Sequence, residues 1–334
     1  MATPTWIDRI LTQVGGLTQV SDLVLDPRED GLVARIRQDG AYRDLDRCPT
    51  GQEAMAIARL KALAALPAYI VDEPQDGRLD GRPFGIPGDL RAAFFPTVRG
   101  PRAAVRLPAL GALPAPTGLG LPAPALAGLR RVLRQPQGLL LVCGPTGSGK
   151  TTTIHSLLTE LAVERPDRQL LAIEDPVERR LDGVVQSEIR PHLGFGFAEA
   201  LRAALRQDPD VLIIGEIRDP ATAEAAVRAV LTGHLVVSTL HCGRAVEALP
   251  RLREMGVPLD LLLPSITGVL AQRLLRLTTG GRQVVADWLE PDHAQRIAWA
   301  AGQEPPLMTD LDRHAADLVS THAVTGAEVA RVLG

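Results

Sequence analysis

The sequence predicts an α/β fold with a mainly parallel sheet, preceded by a smaller α+β domain. Two observations lead to this prediction. Beyond residue 128, short apolar runs alternate with stretches of helical periodicity, which is typical of parallel strands covered by helices on both faces. Before residue 108, the pattern is that of a hairpin, a helix and a further strand. The length of 334 residues allows roughly two domains of about 150 residues each.

The first predicted domain covers residues 1–107. Ser21–Asp39 predicts two strands joined by an Asp-Gly turn, Met55–Leu66 predicts a helix, and Ala103–Leu107 predicts a closing strand. Residues 108–128 carry no charge but contain five prolines, which would repeatedly break a membrane-spanning helix. We therefore expect a semi-rigid linker there.

The second predicted domain covers residues 129–334. Its apolar runs are expected to form strands at Leu139–Cys143, Leu170–Ile173, Val211–Ile214 and Leu235–Ser238. Thr222–Leu231 has the i, i+3, i+4, i+7 spacing of a helix. Residues 292–334 predict a small helical cap whose last helix is Gly326–Leu333.

Composition argues against nucleic-acid binding. The net charge is −3 and aromatic residues make up 3%, whereas such proteins usually need a basic surface and aromatic platforms. Cys48, Cys143 and Cys242 form no CxxC pair, which fits a reducing cytoplasm and predicts neither disulfides nor a zinc site. The N-terminus lacks the features of a signal peptide, so we expect a soluble, cytoplasmic protein.

A phosphate-binding loop is predicted at Gly144–Thr151. Its sequence, GPTGSGKT, matches GxxxxGK[ST] between an apolar run and a helical stretch. Glycines let backbone N–H groups turn towards phosphate oxygens, and the helix N-terminus adds positive potential. Lys150 is predicted to bind the β- and γ-phosphates of ATP, and the Thr151 hydroxyl to ligate Mg²⁺. The predicted nucleotide-binding residues are Gly144, Pro145, Thr146, Gly147, Ser148, Gly149, Lys150, Thr151 and Thr152.

Acidic residues follow two of the predicted strands. Ligands of open α/β sheets bind at the carboxyl ends of strands, so we expect Glu216 to orient or deprotonate the attacking water, and Asp210 to have a structural role. Glu174, Asp175 and Glu178 follow another strand and could hold a hydrated Mg²⁺ or position water. The alternative is that Glu216, Glu174, Asp175 and Glu178 are solvated side chains of surface turns.

Two histidines flank the strand at residues 235–240, and the chemistry favours His241, at its carboxyl end, over His234. Arginines recur in the first domain at Arg91, Arg99, Arg102 and Arg106. They could form a solvated basic face, or some could supply charge to a γ-phosphate; composition does not choose between these readings.

Together these segments resemble the ATPase family that powers type II secretion systems and type IV pili. The resemblance is strongest in LLAIEDPVE at 170–178, ALRQDPDVLIIGEIRDPATAE at 204–224 and TGHLVVSTLHCG at 232–243. It covers roughly residues 20–290, including GVLAQRLLRL at 268–277. It implies a RecA-like P-loop ATPase domain behind a PAS-like N-terminal domain.

The resemblance also implies roles for single residues. Glu216 would be the catalytic glutamate; Glu174, Asp175 and Glu178 would form the Asp box, and His234 and His241 the His box. Arg91, Arg102 and Arg106 would act on the nucleotide. The family further implies a homo-hexamer at the cytoplasmic face of the inner membrane, acting on a polytopic platform protein.

Some family features are not found in the sequence. A tetracysteine module is missing after the QRL segment, so zinc is not expected, and the resemblance begins too late to include the extra domain that docks to a membrane adaptor. No retraction-type AIRNL-like segment occurs, although the length is that of the retraction branch. Three alternatives stay open: a pilus retraction ATPase, a RecA-like nucleic-acid motor, and a non-hydrolysing nucleotide-dependent scaffold.

Overall fold

The computed structural model describes residues 4–18, 20–108 and 112–334. The chain divides into two compact units, Met1–Ala112 and Leu113–Gly334. Within the described ranges, none of the helices combines the length and the apolar character that crossing a bilayer requires.

The first unit is an antiparallel sheet with two helices. Its elements are α1 (Trp6–Gly15), β1 (Val20–Arg28), β2 (Gly31–Gln38), β3 (Ala41–Arg47), α2 (Glu53–Leu63), β4 (Gln75–Asp80), β5 (Asp89–Phe95) and β6 (Arg102–Arg106). The strand order is β3-β2-β1-β6-β5-β4, and all neighbours are antiparallel. The predicted hairpin, helix and closing strand are all present.

The second unit contains a seven-stranded sheet. Its first elements are α3 (Ala123–Leu133), β7 (Gly138–Cys143), α4 (Lys150–Glu164), β8 (Leu170–Glu174), β9 (Val184–Glu188), α5 (Phe197–Ala204), β10 (Val211–Ile214) and α6 (Pro220–Leu231). They are followed by β11 (Leu235–Leu240), α7 (Ala248–Glu254), α8 (Leu259–Ser265), β12 (Ile266–Arg276), β13 (Arg282–Leu289), α9 (His293–Ala300), α10 (Leu311–Ser320) and α11 (Gly326–Leu333).

The sheet of the second unit has the order β13-β12-β7-β11-β10-β8-β9. Every pair is parallel except β12–β13, which is an antiparallel hairpin. Alternate residues of β7 enter different apolar clusters: Leu141 packs with α5 and α6, whereas Leu140 packs with α3 and α4. Helices therefore cover both faces, which explains why the strands are apolar throughout.

The stretch predicted as a linker differs from the prediction. Residues 109–111 lie outside the described residues, but Pro116–Leu119 forms a 3₁₀ turn and Ala123–Leu133 is helix α3. Pro124 falls in the first turn of that helix, where a missing N–H costs no hydrogen bond. The prolines therefore start helical turns here, and much of residues 113–128 belongs to the second unit.

A buried ion pair fixes the helical cap to the sheet. Asp287 on β13 is fully buried, and its carboxylate accepts hydrogen bonds from Arg244 and from the backbone N–H groups of Ala245 and Leu311. The hydrogen bond to Asp287 is also the main cause of a raised Arg244 pKa. The loop after β11 and the start of α10 are thus attached to one carboxylate.

Replacing Arg244 with Ala is expected to destabilise the chain by about 2 kcal/mol, because a buried carboxylate loses its charged partner while keeping two backbone donors. Urea unfolding midpoints measure the loss. Arg251→Ala is the control, since its exposed pair with Glu254 on α7 contributes at most about 0.5 kcal/mol. Equal destabilisation by the two substitutions would contradict this account.

Candidate nucleotide site

The predicted phosphate loop has the conformation that its glycines allow. It leaves β7 at Cys143, and α4 begins at Lys150. Gly144, Gly147 and Gly149 all have positive φ, at 144°, 80° and 89°. A Cβ atom at Gly144 would also lie 2.6 Å from the backbone oxygen of Gln272. A larger residue at this first position would therefore be strained and would also clash.

The Lys150 ammonium lies over the loop. Its Nζ donates to the carbonyl oxygens of Gly144 and Pro145 at 2.9 and 3.0 Å. Burial lowers the pKa of Lys150, and Glu216 acts against that shift. Thr151 and Thr152, in the first turn of α4, are half-buried. The amine and these hydroxyls are placed where a bound phosphate would meet a helix N-terminus.

Gln272 on β12 supports the loop, although no motif in the sequence predicts this role. Its side chain is fully buried, and its Nε2 donates to the Ser148 carbonyl at 2.7 Å. The side-chain oxygens of Gln272 and Ser148 are both buried without a hydrogen-bond partner. In the sequence, Gln272 is marked only by its place in the QRL segment. Its contact with Ser148 could not be predicted from that segment, because the two residues are 124 positions apart.

Glu216 lies where the sequence predicts, just after β10. Its side chain is 14% exposed and pairs with Arg218 at 2.5 Å. The turn that carries it is fixed by β11, because Thr239 donates its hydroxyl to the Gly215 carbonyl at 2.7 Å and accepts the N–H of Ile217 at 3.0 Å. The Glu216 carboxylate is therefore held at the carboxyl edge of the sheet.

His241 lies beside Glu216, as the sequence favoured. Its Nε2 is 3.8 Å from a carboxylate oxygen of Glu216, and its side chain is 46% exposed. Burial lowers the pKa of His241, Lys150 lowers it further, and Glu216 opposes the shift. The neutral imidazole is thus favoured near neutral pH, in which form it can both donate and accept a hydrogen bond.

His234 lies elsewhere. It precedes β11, at the opposite edge of the sheet from the phosphate loop, and its Nδ1 is 3.0 Å from the Ala229 carbonyl and 3.1 Å from the Thr232 hydroxyl. Its contacts stabilise the end of α6, and its inclusion among the site residues stays a prediction. Asp210 has the structural role expected, since it accepts the N–H of Gln169 at 2.7 Å.

The three acids after β8 do not act as one set. Glu174 is 5% exposed and bonded to buried side chains, whereas Asp175 and Glu178 are exposed. Across the ranges that the structure describes, no group of three or more acidic, histidine or cysteine side chains is arranged to hold a metal ion. That these acids hold a hydrated Mg²⁺ or position water, with one or two carboxylates at the metal, stays a prediction.

The predicted arginines lie on two strands of the first unit. Arg102 pairs with Asp26 at 3.2 Å and Arg106 pairs with Asp22 at 2.8 Å. Arg91 lies opposite Arg106 in the register of β5 and β6. Arg102 and Arg106 thus have acidic partners in their own unit, and the action of all three on a nucleotide stays a prediction.

The pKa of His241 is expected to lie below 6.5, because burial and the Lys150 charge both disfavour the imidazolium. NMR titration of histidine-labelled protein measures it. Lys150→Met should raise this pKa, and Glu216→Gln should lower it further. A His241 pKa above 6.5, or one unmoved by both substitutions, would contradict the assigned electrostatics.

Gln272→Ala is expected to weaken nucleotide binding by about 5- to 10-fold, because the Ser148 carbonyl loses its buried donor and the loop is less well ordered. Titration with a fluorescent ATP analogue measures the affinity. Gln283→Ala, on the paired strand β13, is the matched control and should bind normally. Unchanged affinity in Gln272→Ala would show that the loop needs no such support.

Comparison with known proteins places this site in a family. The profile described as "Type II/IV secretion system protein" matches residues 4–311. The type II secretion system protein HxcR of Pseudomonas aeruginosa is 45% identical over 272 residues, covering 81% of this chain and 57% of HxcR. The type IV pilus assembly ATPase PilB of Thermus thermophilus is 41% identical over 261 residues, covering 78% of this chain and 29% of PilB. The chain thus spans little more than half of one relative and under a third of the other.

Solved structures agree with this result. The crystal structure of the pilus retraction motor PilT with bound ADP has a TM-score of 0.71 at 27% identity, covering 98% of this chain and 96% of that one. The ATPase DotB of Legionella pneumophila has a TM-score of 0.75 at 19% identity, covering 99% and 95%, and shows the fold alone. Both structures confirm the predicted fold, a RecA-like P-loop domain that follows a smaller α+β domain in the sequence. Because the profile matches most of its length, the chain belongs to the type II/IV secretion system protein family.

Proposed function

We propose that this chain hydrolyses ATP, and that hydrolysis drives assembly or secretion by a type II secretion or type IV pilus-like machine. The observation that carries the proposal is the row formed by Lys150, His241 and Glu216 after three neighbouring strands, β7, β11 and β10. Family membership and relatives named as ATPases support it.

Lys150 supplies the charge for phosphate binding. In the structure its ammonium donates to two neutral carbonyl oxygens of the loop. A phosphate oxygen is a stronger acceptor for an ammonium because the hydrogen bond is then charge-assisted. We propose that Lys150 exchanges these carbonyls for the β- and γ-phosphates of ATP, with the N-terminus of α4 adding to the attraction.

The Thr151 hydroxyl fits a magnesium ion carried with the nucleotide. It is a hard oxygen donor, half-buried in the first turn of α4, directly after Lys150. With the nucleotide bound, a Mg²⁺ ion held by Thr151 would supply positive charge that offsets the charge of the phosphates. Zinc has no part in the proposal.

Glu216 prepares the attacking water. Its carboxylate is partly exposed, carried on a turn fixed by β11, and flanked by His241. A carboxylate in this position orients water for in-line attack and accepts its proton, and positioning of this kind supplies most of the catalysis in phosphoryl transfer. Arg218 orients the carboxylate through an ion pair at 2.5 Å, and His241 lies 3.8 Å from the same oxygen.

The machine-level part of the proposal comes from family membership. We propose a homo-hexamer at the cytoplasmic face of the inner membrane that acts on a polytopic platform protein. Pilus retraction is a second candidate, favoured by the likeness to PilT over nearly the whole of both chains. Co-purification of a polytopic membrane protein in an ATP-dependent manner would support either motor, whereas DNA-stimulated turnover would favour a nucleic-acid motor instead.

Steady-state ATPase assays and nucleotide titrations test the catalytic part. Lys150→Ala should weaken ATP binding by more than about 10-fold, because the charge-assisted bonds to phosphate are lost. Glu216→Gln should bind ATP normally but lower kcat by about 10²- to 10³-fold, because an amide cannot accept the proton of water.

Glu254→Gln is the matched control, since that exposed glutamate on α7 pairs with Arg251 and lies outside the site. It should keep the kcat of the wild type. Turnover at the wild-type rate by Glu216→Gln would refute the role of Glu216, and a wild-type protein that binds ATP without turnover would favour the scaffold alternative.

A further inference from the structure

A buried histidine connects the phosphate-loop helix to the acid at the end of β8. His155 lies four residues after Thr151 on α4, so the two side chains share one face of the helix. His155 is 4% exposed and Glu174 is 5% exposed. The His155 Nε2 is 3.1 Å from the Glu174 Oε2. Any form of the His155 ring that carries a proton on Nε2 can donate to the Glu174 carboxylate in this geometry.

The second oxygen of the same carboxylate is also occupied. Gln186 on β9 donates its Nε2 to the Glu174 Oε1 at 2.7 Å and to the Arg179 carbonyl at 2.8 Å. Its Oε1 accepts the N–H of Leu181 at 2.8 Å. His155, Glu174 and Gln186 therefore form a continuous hydrogen-bonded chain from α4 across β8 to β9.

The hydrogen bonds of His155, Glu174 and Gln186 organise the segment that follows Glu174. Residues 175–183 contain Asp175 and Glu178 and have no regular strand or helix of their own. Gln186 bonds two backbone groups within the segment, and Glu188 accepts the N–H of Val177 at 3.2 Å. Two of these three hydrogen bonds to the backbone of the segment are thus made by Gln186, which also donates to Glu174.

Glu174 is also next to the turn that carries Glu216. The Gly215 N–H donates to the Ile173 carbonyl at 2.8 Å, and a Cβ atom at Gly215 would lie 3.5 Å from the Glu174 Cα. A shift of Glu174 would therefore reach the turn of Glu216 as well as residues 175–183.

We propose that His155 is a positioning residue for ATP hydrolysis: by donating to Glu174, it ties residues 175–183 and the turn before Glu216 to the helix that holds the phosphates. The kinetic part of this inference rests on the proposed function. His155 is buried and acts through Glu174, so its effect is expected on kcat rather than on ATP affinity.

Two substitutions separate the hydrogen bond from packing. In glutamine, the amide nitrogen is the same number of bonds from Cα as Nε2 is in histidine, so His155→Gln keeps a donor at that reach. His155→Leu fills much of the same space without a donor. The expected result is a kcat lowered by about 10-fold or more in His155→Leu and within about 3-fold of wild type in His155→Gln, with similar KM values for both.

Hydrogen exchange gives a readout that needs no turnover. Peptides covering 175–183 should exchange faster in His155→Leu than in wild type or His155→Gln, because the Leu181 N–H loses its ordered acceptor. If His155→Leu loses this protection but the wild type has no ATPase activity, the proposed function and the kinetic part of the inference fail, whereas the structural connection from His155 to residues 175–183 stands.

Gln186→Leu is a second variant, on the edge strand β9, for use should His155→Leu not fold. It should reproduce the lowered kcat and the faster exchange of residues 175–183. The proposal is overturned if His155→Gln is as slow as His155→Leu, if the loss lies wholly in KM, or if exchange of residues 175–183 is unchanged in the leucine variants.

Discussion

Hydrogen bonding between parallel strands is the constraint on which the site depends. The registers of β7 with β11, β11 with β10, and β10 with β8 place four carboxyl ends along one edge. The phosphate loop that begins at Gly144, His241 and Glu216 follow three of those ends. Glu174 is itself the last residue of the fourth strand, β8. Since parallel strands all point the same way, residues far apart in sequence are brought into one row without any contact that is specific to catalysis.

Environment then gives the two glutamates of this row different properties. Glu216 is partly exposed and faces His241 and Arg218, so its carboxylate is accessible to water. Glu174 is buried, and both of its oxygens accept from side chains of neighbouring elements. A carboxylate whose acceptors are all used serves better as a fixed point of the structure than as a base. These different environments support the proposal that Glu216, rather than Glu174, prepares the attacking water.

Local patterns were enough to predict much of this arrangement. The phosphate loop, the strand that leads to Glu216 and the helix Gly326–Leu333 are each specified by residues adjacent in sequence. Gln272 and His155 could not be found that way, because their partners lie 124 and 19 residues away and a buried amide or imidazole leaves no periodic signal. Helix α3 was not predicted because the prolines of this stretch argue against a helix in the sequence. Pro124 falls in the first turn of α3, where proline is compatible with a helix.

The supports of the loop and of Glu174 lie on opposite sides of the same helix start. Gln272 holds the Ser148 carbonyl just before α4, and His155 anchors α4 one turn after Thr151. A nucleotide that draws Lys150 away from the loop carbonyls would shift the loop and the start of α4. Such a shift would alter the geometry of both the Gln272–Ser148 and the His155–Glu174 hydrogen bonds. Both hydrogen bonds are buried; one has its partner on β12 and the other on β8. These bonds therefore either resist movement of the loop or transmit it to the two strands. The proposed phosphate site and the turn that carries Glu216 are therefore connected by hydrogen bonds within the second unit.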